Sequence, residues 1–260
     1  MLVAASGGGD SAALLHVMAR LAPRLGIDIV AHGVDHGLRP EAAGELDIAA
    51  GLAQRLSVPF SRSRVELAAG GNLQARARNA RYEELYRAAE RSSAALVATG
   101  HHADDRAETV LLRLLRGAGP RGLAVLPARV DRLIRPLISA RRGDILRHNA
   151  RHHIESCSDP SNSDRRFSRA RVRHELLPLL EELSPSIVEH LCALAEALLQ
   201  GEPPPVVDAH GQPVPLGRAQ ALALRRALAL GQRDARIRLP GGRVLRIDRR
   251  TGAPLLVAED

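Results

Sequence analysis

Lysine is absent from this chain: all 37 of its Lys+Arg residues are arginines, set against 29 Asp+Glu. That absence excludes a Schiff-base lysine. It also excludes a Walker A phosphate loop, whose lysine reaches the phosphates. Aromatics are scarce, with two Phe, two Tyr and no Trp, so base stacking on aromatic rings must be sparse. Two cysteines, Cys157 and Cys192, allow neither a disulfide framework nor a CxxC site. They read as buried or idle thiols and suit a reducing, cytoplasmic setting. No apolar run approaches the roughly 18 residues of a membrane span, so no membrane partner is expected. The start, Met1–Ser6, lacks the basic n-region of a signal peptide.

What is present is enough for a core. The chain has 260 residues, 45% of them hydrophobic, which suits one large domain or a medium one plus a small one. A GC-rich genome would explain arginine in place of lysine, but not the excess of positive charge. A net charge of +8 points to a polyanionic partner, nucleic acid ahead of others.

Periodicity predicts alternating strands and helices. Leu2–Ala5, Ile27–Val34, Val58–Val65 and Ala94–Thr99 read as strands. Ser11–Leu25, Glu41–Leu56, Asn72–Arg91 and Asp104–Leu115 read as helices, the first with Leu14, Leu15, Met18, Leu21 and Leu25 on one face. This order implies an α/β fold, a parallel sheet with helices on both faces. From Asp131 the alternation fades into helical stretches up to Leu199. Gly201–Val207, with three prolines, reads as a stiff linker. Arg218–Leu230 reads as a helix and Arg236–Val257 as a small terminal hairpin. The expected organisation is a domain over 1–180 and a small, mostly helical one over 184–260.

The strongest motif is Ser6-Gly7-Gly8-Gly9-Asp10-Ser11, between a strand and a helix. Small residues let backbone N–H groups close around an anion, and the helix N-terminus adds partial positive charge. Ser6 and Ser11 supply hydroxyls. Asp10 repels phosphate directly and fits instead as a cap, or as a ligand of Mg²⁺ carried by a nucleotide. Asp105 and Glu108 stand three apart on a predicted helix and share a face. That face lies at the C-terminal edge of the sheet, where ligands of open α/β folds bind. Paired acids there suit a cation, either Mg²⁺ or an ammonium. Asp104 reads as a helix cap. Asp35 ends the second strand, as a site residue or as a turn aspartate ahead of Gly37.

The glycine turn resembles the pyrophosphate loop of the N-type ATP pyrophosphatases (PP-loop proteins, with an adenine nucleotide alpha hydrolase-like fold). With Val34–Pro40, Gly100–Thr109, Leu111–Gly117, Asp159–Asn162 and Phe167–Arg173 following in order, the chain resembles the tRNA(Ile)-lysidine synthetase family from about Leu2 to Pro178. The resemblance implies an ATP-dependent ligase. ATP adenylates the C2 oxygen of the wobble cytidine in the CAU anticodon of tRNA(Ile). The side-chain amine of free lysine then displaces AMP, switching codon reading from AUG to AUA.

On that resemblance, Ser6, Gly7, Gly8, Gly9, Asp10, Ser11 and His101 hold ATP, with Mg²⁺ at Asp10. Asp35, Arg81, Asp105 and Glu108 are catalytic, the last two favouring an ammonium. Arg78 and Arg81 match a pocket-lining segment, and a helical tRNA-binding domain belongs in the C-terminal part. Some features depart from the family. Ala170 replaces a usual asparagine, and Gln74 stands where an acid is common after Asn72. The resemblance also implies residues ahead of the first strand and, in some members, a long extra C-terminal domain, whereas this sequence starts almost on that strand.

Zinc at His101 and His102 would have to recruit Asp104, Asp105 or distant histidines, so none is expected. His148, His152 and His153, on an arginine-rich helix, read as surface residues. Arg141 and Arg142 read as a solvated helix face. The cluster Arg165, Arg166, Arg169, Arg171 and Arg173 has few acids nearby in sequence, so Arg78, Arg169, Arg171 and Arg173 are assigned to tRNA. A homodimer stays open. Two alternatives remain: a tRNA cytidine thiolase of the same superfamily, which needs three or four cysteines for its cluster, and a catalytically lapsed tRNA-binding protein. The charge predicts steep salt dependence of tRNA binding. Each lost phosphate contact should shallow the slope of log affinity against log salt by about 0.7 to 0.9. Filter binding across a salt series checks this, and a flat response refutes it.

Overall fold

The computed structural model describes residues 1–35, 37, 42–65, 73–157, 167–200, 206, 214–229, 232, 235–239, 243–247 and 254–258. They divide into two compact units, Met1–Cys192 and Ala193–Asp260. No described helix is long and apolar enough to cross a membrane.

The first unit alternates strand and helix: β1 (Leu2–Ala4), α1 (Gly9–Leu25), β2 (Val30–Asp35), α2 (Ala42–Arg55), β3 (Phe60–Arg64), α3 (Leu73–Arg91), β4 (Val97–Ala98) and α4 (Ala103–Leu114). A short α5 (Pro120–Leu123), β5 (Arg129–Val130), β6 (Leu133–Ile134) and α6 (Arg142–Arg151) follow. Then α7 (Ser168–Arg171) passes through a π-helical turn, Val172–Leu176, into α8 (Leu177–Leu183), and α9 spans Ile187–Gln200. The sheet order is β3-β2-β1-β4-β6-β5. All its pairings are parallel except β5 with β6. The β6–β5 edge lies where the sequence alternation fades, because Asp131, Arg132, Arg135 and Pro136 flank Leu133–Ile134 and leave no apolar run to read.

Period-2 alternation distributes β1 between two cores. Val3 and Ala5 join Leu14, Leu15 and Met18 of α1 and Leu52 and Ala53 of α2 on one face. Leu2 and Ala4 join Leu85, Ala88 and Ala89 of α3 on the other. Helices thus cover both faces, as periodicity predicts for a parallel sheet. On α1 the buried stripe is Leu14, Leu15, Met18 and Ala22, whereas Leu21 and Leu25 are exposed. The apolar face is therefore narrower than the leucine spacing suggested.

Strand order reverses between β1 and β4, so the ends of these two strands open the crevice where α/β folds take ligands. Both ends carry the motifs found in sequence: Ser6–Ser11 after β1 and Gly100–Thr109 after β4.

In the second unit α10 (Arg218–Ala229) carries Leu224 and Ala227 onto a three-stranded antiparallel sheet of β7 (Arg236–Leu239), β8 (Arg243–Ile247) and β9 (Pro254–Ala258). The expected terminal hairpin is thus joined by a third strand. The proline run at 203–205 and glycines 241, 242 and 252 lie outside the described residues.

Gly33 in β2 shows how tightly α2 presses on the sheet. A Cβ there would lie 2.5 Å from the Leu46 side chain and 3.0 Å from the Ala5 carbonyl oxygen. Gly33→Ala is expected to destabilise the protein by about 1–3 kcal/mol through overpacking. Denaturant unfolding checks this, and an unchanged midpoint would refute it.

Candidate active site

The turn after β1 is held by its own hydroxyls. Ser6 N donates to Ser11 Oγ at 3.1 Å, and Ser11 Oγ donates to the Gly8 carbonyl at 2.9 Å. Gly7 sits at φ +83°, and a Cβ there would collide with the backbone carbonyl of Glu45. Only glycine takes that conformation without strain. At Gly8 the nearest atom to an added Cβ is Ser6 Oγ at 3.7 Å, so the middle of the turn faces open space. Two partners brace the turn from behind. Cys157 N donates to the Gly7 carbonyl at 2.9 Å, and Asn149 Nδ2 donates to the Gly9 carbonyl at 3.0 Å. The first amides of a helix such as α1 have no intrahelical partner, and such a terminus suits a nucleotide phosphate.

Across the crevice, α4 begins at His102, which is fully buried. His102 stands at the N-cap of the helix: its N donates to Asp105 Oδ2 at 3.2 Å, and its ring Nδ1 lies 3.6 Å from Asp104 Oδ2. Its Nε2 has no hydrogen-bond partner and lies 3.6 Å from Asp10 Oδ2 and 3.5 Å from Asp105 Oδ2. Burial works against a charged ring, but the carboxylates of Asp10, Asp104 and Asp105 outweigh it and push the His102 pKa up to about 9. His101, next to it, moves the other way. Burial takes its pKa down to about 3, and Arg78, Arg135 and Arg81 contribute to the fall. His101 is therefore a neutral ring at physiological pH, bonded through Nδ1 to Thr99 Oγ1 at 2.9 Å.

Asp105 and Glu108 are brought together as expected, and both are buried. Arginine pairing makes their burial tolerable. Arg169 Nη2 donates to Asp105 at 2.8 Å and its Nε to Glu108 at 2.8 Å. Arg173 donates from Nε to Glu108 at 2.5 Å and from Nη2 to Glu108 at 3.0 Å. Burial opposes ionisation of Asp105, and His102 and Arg169 outweigh it, holding its carboxyl below the usual carboxylate range.

The expectation that Arg169 and Arg173 lack acidic partners is corrected here. Glu108 precedes Arg169 by 61 positions, a pairing that local sequence conceals. Arg171 points away, exposed and paired with Glu175 one helical turn on. Arg141 is also more than a solvated residue. Its guanidinium contacts Asp104, Glu181 and Glu189 at 3.3, 2.5 and 2.8 Å. Asp104 does act as a cap, but for α6 rather than its own helix, accepting from Arg142 N at 2.7 Å.

The remaining expected residues sit around the rim. Asp35 Oδ1 accepts from Gly37 N at 2.8 Å, the turn arrangement. Arg78 and Arg81 lie over the Tyr82 ring, 5.2 and 5.6 Å from its centroid, and burial lowers the Arg81 pKa. Both thiols are half-buried, and burial pushes Cys192 up to about 11. His36, residues 38–40, Asn72, the side chain of Gln74, residues 159–162, Arg165 and Arg166 lie outside the described residues.

The profile of the PP-loop domain matches residues 1–180. The chain belongs to the PP-loop family. A tRNA(Ile)-lysidine synthase of Thermobifida fusca is 44% identical over 200 residues, covering 76% of this chain and 62% of the relative. One of Novosphingobium aromaticivorans is 40% identical over 202 residues, covering 75% and 61%. The chain thus spans less than two thirds of the length of these curated relatives. Among solved structures, the U34-tRNA thiolase NcsA of Methanococcus maripaludis with its 4Fe-4S cluster has a TM-score of 0.65 at 18% identity, covering 76% of this chain and 72% of that one. That likeness is one of fold.

The PP-loop domain that the chain matches is an ATP-binding one. Three supports of this PP-loop were not singled out from sequence: the His102 hub, Asn149 and the Cys157 backbone. Only His102 left a signal, as the N-cap position just ahead of the acid pair. A His102 pKa raised from 6.5 to about 9 contributes stability that is complete below pH 6.5 and is lost as pH rises through 9. Metal-free protein should therefore lose on the order of 3 kcal/mol over that window. Denaturant unfolding of wild type and His102→Asn checks it. Equal pH slopes in the two proteins would remove His102 as the cause.

Proposed function

We propose that this chain carries the catalytic part of a tRNA(Ile)-lysidine synthetase, a ligase acting in the cytoplasm. One observation carries the reading: Asp10 of the nucleotide turn and Asp105 of the acid pair meet at His102, within 3.6 Å. A phosphate cradle and a site for an amine substrate therefore share one crevice. The named relatives give that amine and its acceptor their identities.

The chemistry has two steps. In the first, the C2 oxygen of the wobble cytidine of tRNA(Ile) attacks the α-phosphorus of ATP, and pyrophosphate leaves. The turn amides and neutral His101 hold the phosphates as hydrogen-bond donors. Half-buried Asp10 is the residue that would hold Mg²⁺, which would supply positive charge to the phosphates. In the second step, the lysine side-chain amine, having lost a proton, attacks C2, and AMP leaves. A carboxylate beside that amine would hold its proton, so Asp105 and Glu108 are better placed to clasp the α-ammonium. Arg169 and Arg173, already on those acids, stand where the α-carboxylate would lie. They take precedence over Arg78 and Arg81, which are occupied with Tyr82.

Arg171 and Arg78 are exposed, which supports assigning them to tRNA phosphate although each also has a partner in the chain. The unit from Ala193 onward is proposed to add tRNA contacts. Thiolation is disfavoured because two cysteines fall short of a cluster's ligand set. Mass analysis of tRNA(Ile) after incubation with ATP, Mg²⁺ and lysine tests the proposal. A lysidine mass shift supports it, and unmodified tRNA with no ATP–pyrophosphate exchange overturns it in favour of a binding protein.

The acid pair makes a sharper prediction. Removing one side of a buried charge pair costs about 3–5 kcal/mol, a hundredfold or more in affinity at about 1.4 kcal/mol per decade. Asp105→Asn should raise the apparent lysine requirement by roughly that factor, while AMP–cytidine formation persists. Loss of adenylation with lysine affinity intact would move Asp105 to the metal.

A further inference from the structure

Three histidines meet on the face of the first unit formed by α1 and α6. His16 lies in the middle of α1, His148 on α6, and His152 at the C-cap of α6. His148 and His152 stand four apart, so one helix face presents both, and the packing of α1 against α6 brings His16 to them. His16 Nδ1 and His148 Nε2 are 3.0 Å apart. The His152 ring centroid lies 4.6 Å from each of the other two. One ring nitrogen from each residue falls within 4.8 Å of the others. Among the described residues no other group of three His, Cys, Asp or Glu gathers this closely.

We propose that His16, His148 and His152 form a binding site for a divalent cation of the zinc class. Tetrahedral zinc with Zn–N bonds of about 2.0–2.1 Å sets its nitrogens about 3.3 Å apart. The His16–His148 pair already has nearly that spacing, and His152, exposed at the helix end, closes the set by a side-chain rotation. Three imidazoles select zinc, nickel or copper over magnesium, which prefers oxygen. Arg20 and Arg151 bring positive charge beside them, so imidazole ligation rather than the surrounding field must supply the affinity. The fourth position opens to solvent on the His152 side.

The site has a mechanical consequence. α1 begins at Gly9 of the nucleotide turn, and Asn149, adjacent to His148 on α6, holds the Gly9 carbonyl at 3.0 Å. A cation bridging His16 to α6 joins the same two helices a second time, about two turns further along α1. It ties down the platform on which the phosphate turn rests, and does so independently of the reaction carried out above it.

The test uses the tag-free full chain, stripped with EDTA and dialysed, in wild-type form and as His152→Ala and the triple variant H16N/H148N/H152N. Calorimetric titration with Zn²⁺ should show one equivalent bound by wild type. Co²⁺ should give the visible absorption of a tetrahedral site. His152→Ala should bind at least roughly tenfold to hundredfold more weakly, the range seen when even a supporting partner of a metal ligand is removed. In the triple variant this equivalent should be lost, and Zn²⁺ should raise the unfolding temperature of wild type alone. His152 is exposed, so its replacement keeps the test decisive even if the triple variant misfolds. Equal zinc binding by wild type and His152→Ala, or no binding by wild type, would overturn the proposal and leave a plain His16–His148 hydrogen bond. ATP–pyrophosphate exchange, measured in parallel, reports on the ligase reading separately.

Discussion

Burial of the charged N-terminal half of α4 is the constraint on which the rest of the first unit depends. His102, Asp104, Asp105, Arg106 and Glu108 are all buried within two turns of one helix. No single charge could remain there unpaired, because desolvation of a lone ion costs several kcal/mol. The chain resolves this by recruiting partners from far along the sequence. Asp104 takes the N-terminus of α6 and the Arg141 fork, and Arg141 in turn takes Glu181 of α8 and Glu189 of α9. Asp105 and Glu108 take Arg169 and Arg173. His102 reaches back to Asp10 at the start of α1. The later helices are therefore fastened to the sheet through charge, while the apolar cores fasten α1, α2 and α3.

The same network sets the electrostatics of the crevice. Two carboxylates face two guanidinium groups, so the Asp105–Glu108 site is balanced without a ligand. A free ammonium would upset that balance, and so would a free carboxylate. A zwitterion that offers both, one to the acids and one to the arginines, would exchange partners and leave the charge count unchanged. The site is thus better matched to an amino acid head group than to a simple metal ion. At Asp10 the situation differs: its carboxylate is half-exposed, lies 3.6 Å from buried His102 and feels the charge of Arg173. A divalent cation accompanying phosphates could reach it from solvent.

Much of this was readable from the residues. Strand–helix alternation, the glycine turn and the i,i+3 acids are local patterns, and the fold keeps all of them. Leu133 and Ile134 of β6 stand between charged residues and Pro136, so the alternation fades there and β6 left no signal. The pairing of Glu108 with Arg169 was unreadable for a different reason: 61 residues separate them, and a cluster of arginines with no acids nearby reads as a surface. Arg141 misled in the same way. His148 and His152 did carry a signal, their spacing of four, yet the third ring comes from α1, 132 positions from His148. Only the packing of α1 on α6 could supply it.

The missing lysines take on a physical meaning in this setting. Arg173 contacts Glu108 through both Nε and Nη2, and Arg169 spans Asp105 and Glu108 with two different nitrogens. An ammonium is a point donor and could not hold two carboxylates in one plane. Guanidinium groups also keep their charge at any physiological pH. In the first-turn network of α4 the group whose charge state changes near neutrality is His102, and its carboxylate neighbours move that change to about pH 9. A crevice proposed to select free lysine is thus lined by cations that cannot mimic it. No lysine side chain of the protein's own competes for Asp105 and Glu108, whose partners are arginines.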